Sequence, residues 1–439
     1  MRRALALLLT AAALLGGTTA LANPMDVFGA GARATAMSGA FAGVADDGSA
    51  AYYNPAGLAQ ITRFQFEAGY MFAQPRLRLN GRDNGVDPNK GTYFAFFGSQ
   101  KIAGHRLTAG VDLFFPDQHV LRFLMLPNSN PRFSLYYNDN HALAVYVCGG
   151  LEVLRWLYVG AGINYIGGNK GGVDFQINEK DPSRGSLKSD IDNMITPLAG
   201  VMFLPHPSVR IGLTYRHPTE VELNLPNRIV IPEITIFGNN PIAIIQKSVV
   251  ALLTTAYSHF SPRQVEFGIS WRITDRAMVS ADLTWFQWSA MRNPSPFTTI
   301  KITGGFAEIF PQTLSVKVPN PGLRDNVVPA VGAETVPLVS HHLDLLLRAG
   351  YAYRPTPVPS QGGEMNFVDA NTHIFSAGLG LNLKEVAKIL TRPISLDFYF
   401  QAHYLEPRTF VKTSLSDAVG DYRATGEVYG GGAVLTLRF

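Results

Sequence analysis

Alternation with a period of two dominates the chain. From Val265, one face reads Val265, Phe267, Ile269 and Trp271, and the other Glu266, Gly268, Ser270 and Arg272. From Val279, the apolar face is Val279, Ala281, Leu283 and Trp285, opposite Ser280, Asp282 and Thr284. The stretches from Leu343 to Arg354 and from Leu396 to Tyr404 repeat the pattern. Successive residues of a strand point to opposite faces, so each stretch predicts a strand with one apolar side.

The polar side separates two architectures. Asp112, Arg210, Arg216, Glu266, Arg272, Asp282, Asp344, Arg348 and Asp397 sit opposite the apolar face, mid-strand, among glycines. A soluble sandwich would present Lys, Glu and Thr to solvent there. Isolated charges among small residues suit a lumen, where side chains meet one another. Tyr351, Tyr353, Tyr404, Trp271, Trp285 and Trp288 fall toward strand ends, as interfacial girdles require. The expected fold is therefore all-β, a transmembrane antiparallel barrel.

The connections alternate in length. Short turns are expected at 103–105, 154–156, 205–208, 274–276 and 337–341, with a somewhat longer link at 384–393. Long connections are expected at 80–90, 116–138, 168–193, 223–262, 290–323, 355–371 and 406–423. This spacing gives about 14 strands, an even number as such barrels have. The final strand carries Tyr429, Gly431, Ala433, Leu435, Leu437 and Phe439 on one face. A terminal aromatic on an alternating strand is similar to the signal read by outer-membrane barrel assembly machinery.

Composition narrows the setting. Arg2 and Arg3 precede the apolar run Ala4 to Leu15, and Ala20-Leu21-Ala22 offers small residues for cleavage, so residues 1–22 read as a secretory signal peptide. Removing them takes the formal charge from +4 to +2, which gives no reason to expect nucleic acid. The single cysteine, Cys148, excludes an intrachain disulfide framework. No later apolar run approaches the roughly 18 residues of a spanning helix. An exported chain with 11% aromatics and 42 glycines then points to the bacterial outer membrane.

Residues 23–60 do not alternate. They are rich in Gly and Ala, with turn chemistry at Asp46-Asp47-Gly48 and Asn54-Pro55-Ala56-Gly57. A compact plug inside the lumen is expected, followed by the barrel over 61–439. The run Gly29 to Leu58 resembles the hatch of the FadL/TodX family of outer-membrane hydrophobic-compound (long-chain fatty acid) transporters. Gly212-Leu213-Thr214-Tyr215-Arg216, Trp285-Phe286-Gln287-Trp288-Ser289, and Arg348-Ala349-Gly350-Tyr351 leading to Pro357-Val358-Pro359 and Asp369-Ala370-Asn371 are similar, in order, to further family segments.

The resemblance implies a monomeric, passive 14-stranded channel in which surface-captured substrate passes to a pocket beside the mature N-terminus. Hatch movement would then open a lateral exit at a kinked third strand. It assigns Asn54, Pro55 and Ala56 to the hatch gate. Gly110 and Pro116, on or just above the expected third strand, are the lateral-opening candidates.

The loop 223–262 holds the strongest candidate for capture. Asn240-Pro241 reads as a helix start, and Ile242, Ile245, Val249, Leu252, Leu253 and Ala256 recur at helical spacing behind it. So much apolar surface outside a barrel suggests a landing site for hydrophobic cargo, or a self-packed lid. Arg216, Arg348 and Arg354 are the carboxylate-binding candidates, with internal pairing to Asp282, Asp344 or Asp397 as the competing role.

Other signals fail. The Gly29-Ala30-Gly31-Ala32-Arg33-Ala34 string has no preceding strand, so it is not a nucleotide site. Adjacent His341 and His342 would face opposite ways on a strand, and Asp46 and Asp47 lack further calcium ligands. No metal, cofactor or catalytic set is expected. The reading is a channel for fatty acids or, alternatively, aromatic hydrocarbons. Rival classes are an adhesin or receptor, and a lipase-type barrel, for which Ser395 and His403 stand eight residues apart on one inner face.

Overall fold

The computed structural model describes residues 24–117, 129–136, 143–178, 181–231, 233–237, 241–295, 297–315, 320–384, 392–415 and 417–439. The expected signal peptide lies outside them. Among the described residues no helix is long and apolar enough to cross a membrane. The crossing is made by strands.

Fourteen antiparallel strands close on themselves. They are β1 (Gln65–Leu79), β2 (Asn89–Ile102), β3 (His105–Pro116), β4 (Ala144–Leu154), β5 (Leu157–Asn178), β6 (Asp181–His206) and β7 (Val209–Arg216). The second half comprises β8 (Gln264–Thr274), β9 (Ala277–Phe286), β10 (Asn326–Val339), β11 (Leu343–Arg354), β12 (Thr372–Leu383), β13 (Ile394–Phe410) and β14 (Tyr422–Arg438). Each strand pairs with its sequence neighbours, and β1 pairs with β14 from Gln65↔Arg438 to Leu79↔Ala424, which removes every free edge of the barrel.

The alternation sets the wall's two sides as expected. On β8, Phe267, Ile269 and Trp271 are 47%, 39% and 51% exposed, while Glu266 and Ser270 are 2% and 3%. The first set faces lipid, and the second faces the lumen. The turns at 103–104, 155–156, 207–208, 275–276 and 340–342 are the short ones and mark the periplasmic end. Trp288 departs from the expected girdle. It is 5% exposed and packs against Phe260 and Phe286 in the outer connections.

Two long connections differ from expectation. The stretch 168–193 is not an irregular loop, because β5 and β6 remain paired from Leu157↔Phe203 out to Asn178↔Asp181. The helix expected after Asn240-Pro241 is absent. Pro241–Ile245 and Ser248–Ser261 are strands, the latter paired with Thr219–Ile231 and Phe297–Gly304 in a separate four-stranded sheet. Ile244, Ile245, Val249 and Val250 are β-branched, and their stiff side chains favour a pleated surface over a helical turn. Apolar residues on both strand faces had mimicked a 3.6-residue repeat.

Candidate functional site

The N-terminal segment fills the lumen. Short helices at Pro24–Phe28, Ala32–Ala36 and Ala50–Tyr53 and a 3-10 helix at Pro55–Gln60 carry side chains that are almost entirely buried. Such short helices leave many backbone groups without intrahelical partners, so the wall must supply them. Asp282 of β9 accepts the N–H groups of Phe41 and Ala42 at 2.8 and 2.7 Å. Ser280 donates to Ala40 O (2.6 Å), Ser270 to Gly43 O (2.8 Å) and Thr214 to Tyr53 O (2.7 Å). On the opposite wall, Glu67 of β1 accepts from Gly48 N at 3.0 Å.

The Asn54-Pro55-Ala56 motif is the best-held part. Asn54 caps the 3-10 helix by accepting from Ala56 N (3.1 Å), while its amide donates to Ala42 O and Val201 O (3.0 and 3.1 Å). Its close approach to the wall depends on inward-facing glycines. A Cβ at Gly150 would lie 2.6 Å from Pro55 O and 2.8 Å from Ala59 N, and Cβ atoms at Gly160, Gly200 and Gly212 would strike Pro55, Asn54 and Ala42. Across the lumen, Gly332 and Gly350, paired in register, receive Met37, and Gly378 receives Ala36. This glycine belt was missed in the sequence, although strand parity already places its members on the inner face.

Toward the periplasmic end, charges of alternating sign cross the lumen through the hatch. Arg210 of β7 pairs with Asp46 (3.2 Å), Asp46 with Arg33, Arg33 with Glu334 (2.7 Å), Glu334 with Arg348 (2.6 Å), and Arg348 with Asp397 (2.5 Å). Burial disfavours the charged form of Asp46. Arg33 and Arg210 outweigh that and hold its carboxyl below the ordinary value.

The three candidate arginines are placed differently by the structure. Arg348 belongs to this network. Arg216 pairs with Glu266 (2.9 Å), donates to Tyr52 O (2.5 Å) and lies 4.3 Å over the Tyr52 ring. Both are thus neutralised inside the protein, Arg348 by the expected Asp397 and Arg216 by Glu266 rather than Asp282. Asp344 pairs instead with Lys384. Arg354, the last residue of β11, stands above the hatch and donates to the Tyr136 hydroxyl, its guanidinium 5.1 Å from that ring.

Around Arg354 lies a packed aromatic cluster beside the N-terminal helix. Phe28 packs 6.3 Å from Tyr136 and 5.9 Å from His403, and Tyr136 hydrogen-bonds His403 Nδ1 at 3.0 Å. Burial pushes the Tyr136 phenol up to about 12, so it stays a neutral donor. His403 Nε2 meets Gln401 Oε1 (2.7 Å), whereas Ser395 donates to Asn382 and accepts from Arg438. The serine–histidine pair a lipase would use is not brought together.

The capture candidates split between two faces of the outer sheet. Leu252 is buried and shares a side with Val250, Ile300 and Ile302, while Leu253 is 42% exposed on the other side with Val249. Ile245 is buried beside this sheet, and Ile242 lies on the short strand before it. Gly110 and Pro116 both fall on β3, and a Cβ at Gly110 would strike the Phe96 carbonyl. The β3–β4 ladder runs without a register shift from Leu107↔Leu151 to Phe114↔Ala144.

Comparison with known proteins follows the same lines. Alkane uptake protein A of Marinobacter nauticus is 21% identical over 422 residues, covering 89% of this chain and 86% of the relative. A Pseudomonas aeruginosa FadL homologue superposes with a TM-score of 0.59 at 16% identity, covering 97% and 100% of the two chains. The Ralstonia pickettii toluene transporter TbuX does so at 0.54 and 17%, covering 94% and 100%. These likenesses establish the shared fold. The family model for outer membrane protein transport proteins (OMPP1/FadL/TodX) matches residues 190–436, more than half of the sequence, and this outer-membrane barrel belongs to that family.

Proposed function

We propose that the chain is a passive uptake channel for long-chain fatty acids, with no energy input of its own. The observation that carries this reading is the Phe28–Tyr136–His403 aromatic cluster above the hatch, with Arg354 at its polar edge. Cargo is caught on the apolar side of the outer sheet around Leu252, and moves in among the rings of this cluster. Arg354 receives the carboxylate, since Arg216 and Arg348 are engaged by Glu266, Glu334 and Asp397. Displacement of the hatch at Asn54-Pro55-Ala56 then clears a lateral path beside Gly110 and Pro116 on β3. The charge chain that runs through the hatch opposes an axial route, because a hydrocarbon crossing it would desolvate six charged groups without replacing their partners.

A neutral cargo is the second reading. The name of the Marinobacter relative favours an alkane, and the buried Asp369 carboxyl lies within the field of Arg354. Uptake of labelled oleate, hexadecane and toluene by cells without their own channel distinguishes the two. Oleate uptake that falls tenfold in Arg354→Gln, with hexadecane unchanged, supports the fatty acid. Uptake of hexadecane or toluene alone, insensitive to Arg354→Gln, selects the neutral cargo. No uptake of any label from an assembled barrel refutes the channel.

A further inference from the structure

The membrane side of β13, β14 and β1 carries a trough. Even-numbered residues of β14, such as Val428 and Val434, are buried toward the lumen, so the odd-numbered ones face lipid. Directly opposed residues of antiparallel strands share a face. Gly431 is paired with Phe400 of β13 on one side and Phe72 of β1 on the other, and Ala433 with Phe398 and Tyr70. Four rings that are 39–53% exposed thus flank a floor without bulk. Tyr429, its ring 6.3 Å from that of Phe400, closes the outer end of the floor.

Beyond Tyr429 the same face turns basic. Arg76 opposes Glu427, Arg78 opposes Thr425, and Arg423 lies next on the odd-numbered side; all three arginines are exposed. The Arg76 guanidinium lies 5.6 Å from the centroid of the Tyr429 ring, which brings it to the head of the trough. Among the described residues none of the three arginines is in an ion pair. The neighbouring carboxylates are engaged otherwise. Glu427 accepts from the Tyr429 hydroxyl (3.1 Å), Asp421 from Lys412 N (2.7 Å) and Asp83 from Gly85 N (2.7 Å). Arg76 is ten residues on from Phe66, near the periplasmic start of β1. That is about 33 Å along the strand, or about 25 Å of height at the usual tilt, the depth of the apolar band. The arginines therefore stand at the outer interface, level with lipid headgroups.

We infer that this face binds one phosphorylated lipid of the outer leaflet, an acyl chain in the trough over Gly431 and Ala433 and a phosphate at Arg76, Arg78 and Arg423. Trough and cations lie on the bilayer side of the wall, in the order in which an amphiphile with an anionic head presents its tail and its charge. Guanidinium groups suit phosphate because their N–H donors match its oxygens in pairs. Each basic side chain at the headgroup level favours an anionic lipid about fivefold, less so as salt rises.

The test incubates the assembled, detergent-purified barrel with equal amounts of diphosphorylated lipid A and of the same lipid A stripped of phosphate, and counts bound lipid by native mass spectrometry. Wild type should bind one copy, the phosphorylated form favoured by at least about tenfold. Arg76→Gln should cut that preference about fivefold. Arg63→Gln, an exposed cation at the periplasmic end, should leave it unchanged. Ala433→Phe, which fills the trough, should bind neither lipid, whereas Ala433→Gly, which leaves it open, should bind as wild type does. Heat-modifiable gel mobility verifies that each variant is a folded barrel. The inference is overturned by no binding or equal binding of the two lipids, by an unchanged preference in Arg76→Gln, by an equal fall in Arg63→Gln, or by lipid A retained in Ala433→Phe.

Discussion

Replacing Gly150 by alanine tests whether the glycine belt seats the hatch. The added Cβ would stand 2.6 Å from Pro55 O, whereas ordinary contact begins at about 3.4 Å, so wall and hatch must part by about 0.8 Å. The opposing atoms include backbone O and N of the 3-10 helix, which cannot rotate aside as a side chain would. Overpacking of this kind costs roughly 1–3 kcal/mol, or about a five- to 150-fold shift in the docked equilibrium. Alanine also restricts the unfolded chain, worth up to about 1 kcal/mol. That gain concerns global unfolding and leaves hatch undocking untouched. Hydrogen exchange at Phe41, Ala42 and Gly48, whose amides bond Asp282 and Glu67 of the wall, reads undocking directly, and should accelerate by the same factor. Gly98→Ala is the control, because its Cβ meets open space. Unchanged exchange in Gly150→Ala, or equal acceleration in Gly98→Ala, would refute the reasoning.

Glu334→Gln removes the carboxylate between Arg33 and Arg348 and leaves two buried cations under-compensated, a loss of about 3 kcal/mol in hatch docking. Protease access to the hatch in the assembled barrel should rise, and an unaltered cleavage rate would contradict the linkage. Asp46 has a carboxyl held low by its arginines, so its contribution is complete above the unfolded carboxylate value of about 4 and is lost as pH falls through the lowered native value. The docking difference between wild type and Asp46→Asn should therefore be constant from pH 7 to 5 and vanish in acid. A difference already fading at pH 6 would show that another group controls it. Leu252→Ser should lower hydrocarbon uptake several-fold while Leu253→Ser leaves it near wild type, because the two side chains point to opposite sides of the outer sheet. Equal losses would place capture elsewhere.

The barrel was legible because its two solvents differ. Lipid on one side and a packed lumen on the other enforce strict alternation, and a one-residue slip would turn Phe267 and Trp271 inward and Glu266 into lipid. Turn positions followed, since periplasmic turns are short. The hatch's interior fit was not legible in the same way. Its contacts are glycines on strands far apart in sequence, such as Gly160 and Gly350, and a glycine reads locally as a weak strand residue. The arginines were correctly turned inward, but the choice of Glu266 over Asp282 for Arg216 depends on which strands are neighbours. The 242–256 stretch misled because apolar residues on both faces satisfy either period, and only β-branching favoured the strand.

The link between hatch and wall is four residues, 61–64, between the 3-10 helix ending at Gln60 and the start of β1 at Gln65. Fully extended, four residues reach about 14 Å. The hatch is therefore leashed. However the lumen is cleared, the last turn of the segment stays within that radius of the periplasmic end of the first strand, so the hatch remains tethered at that mouth. The leash also ends on the strand that closes the barrel against β14, beside the Phe64–Phe439 ring contact of 5.8 Å. Any pull the hatch exerts thus falls on the seam where the cylinder was sealed, and that seam is the longest described ladder joining the two ends of the chain.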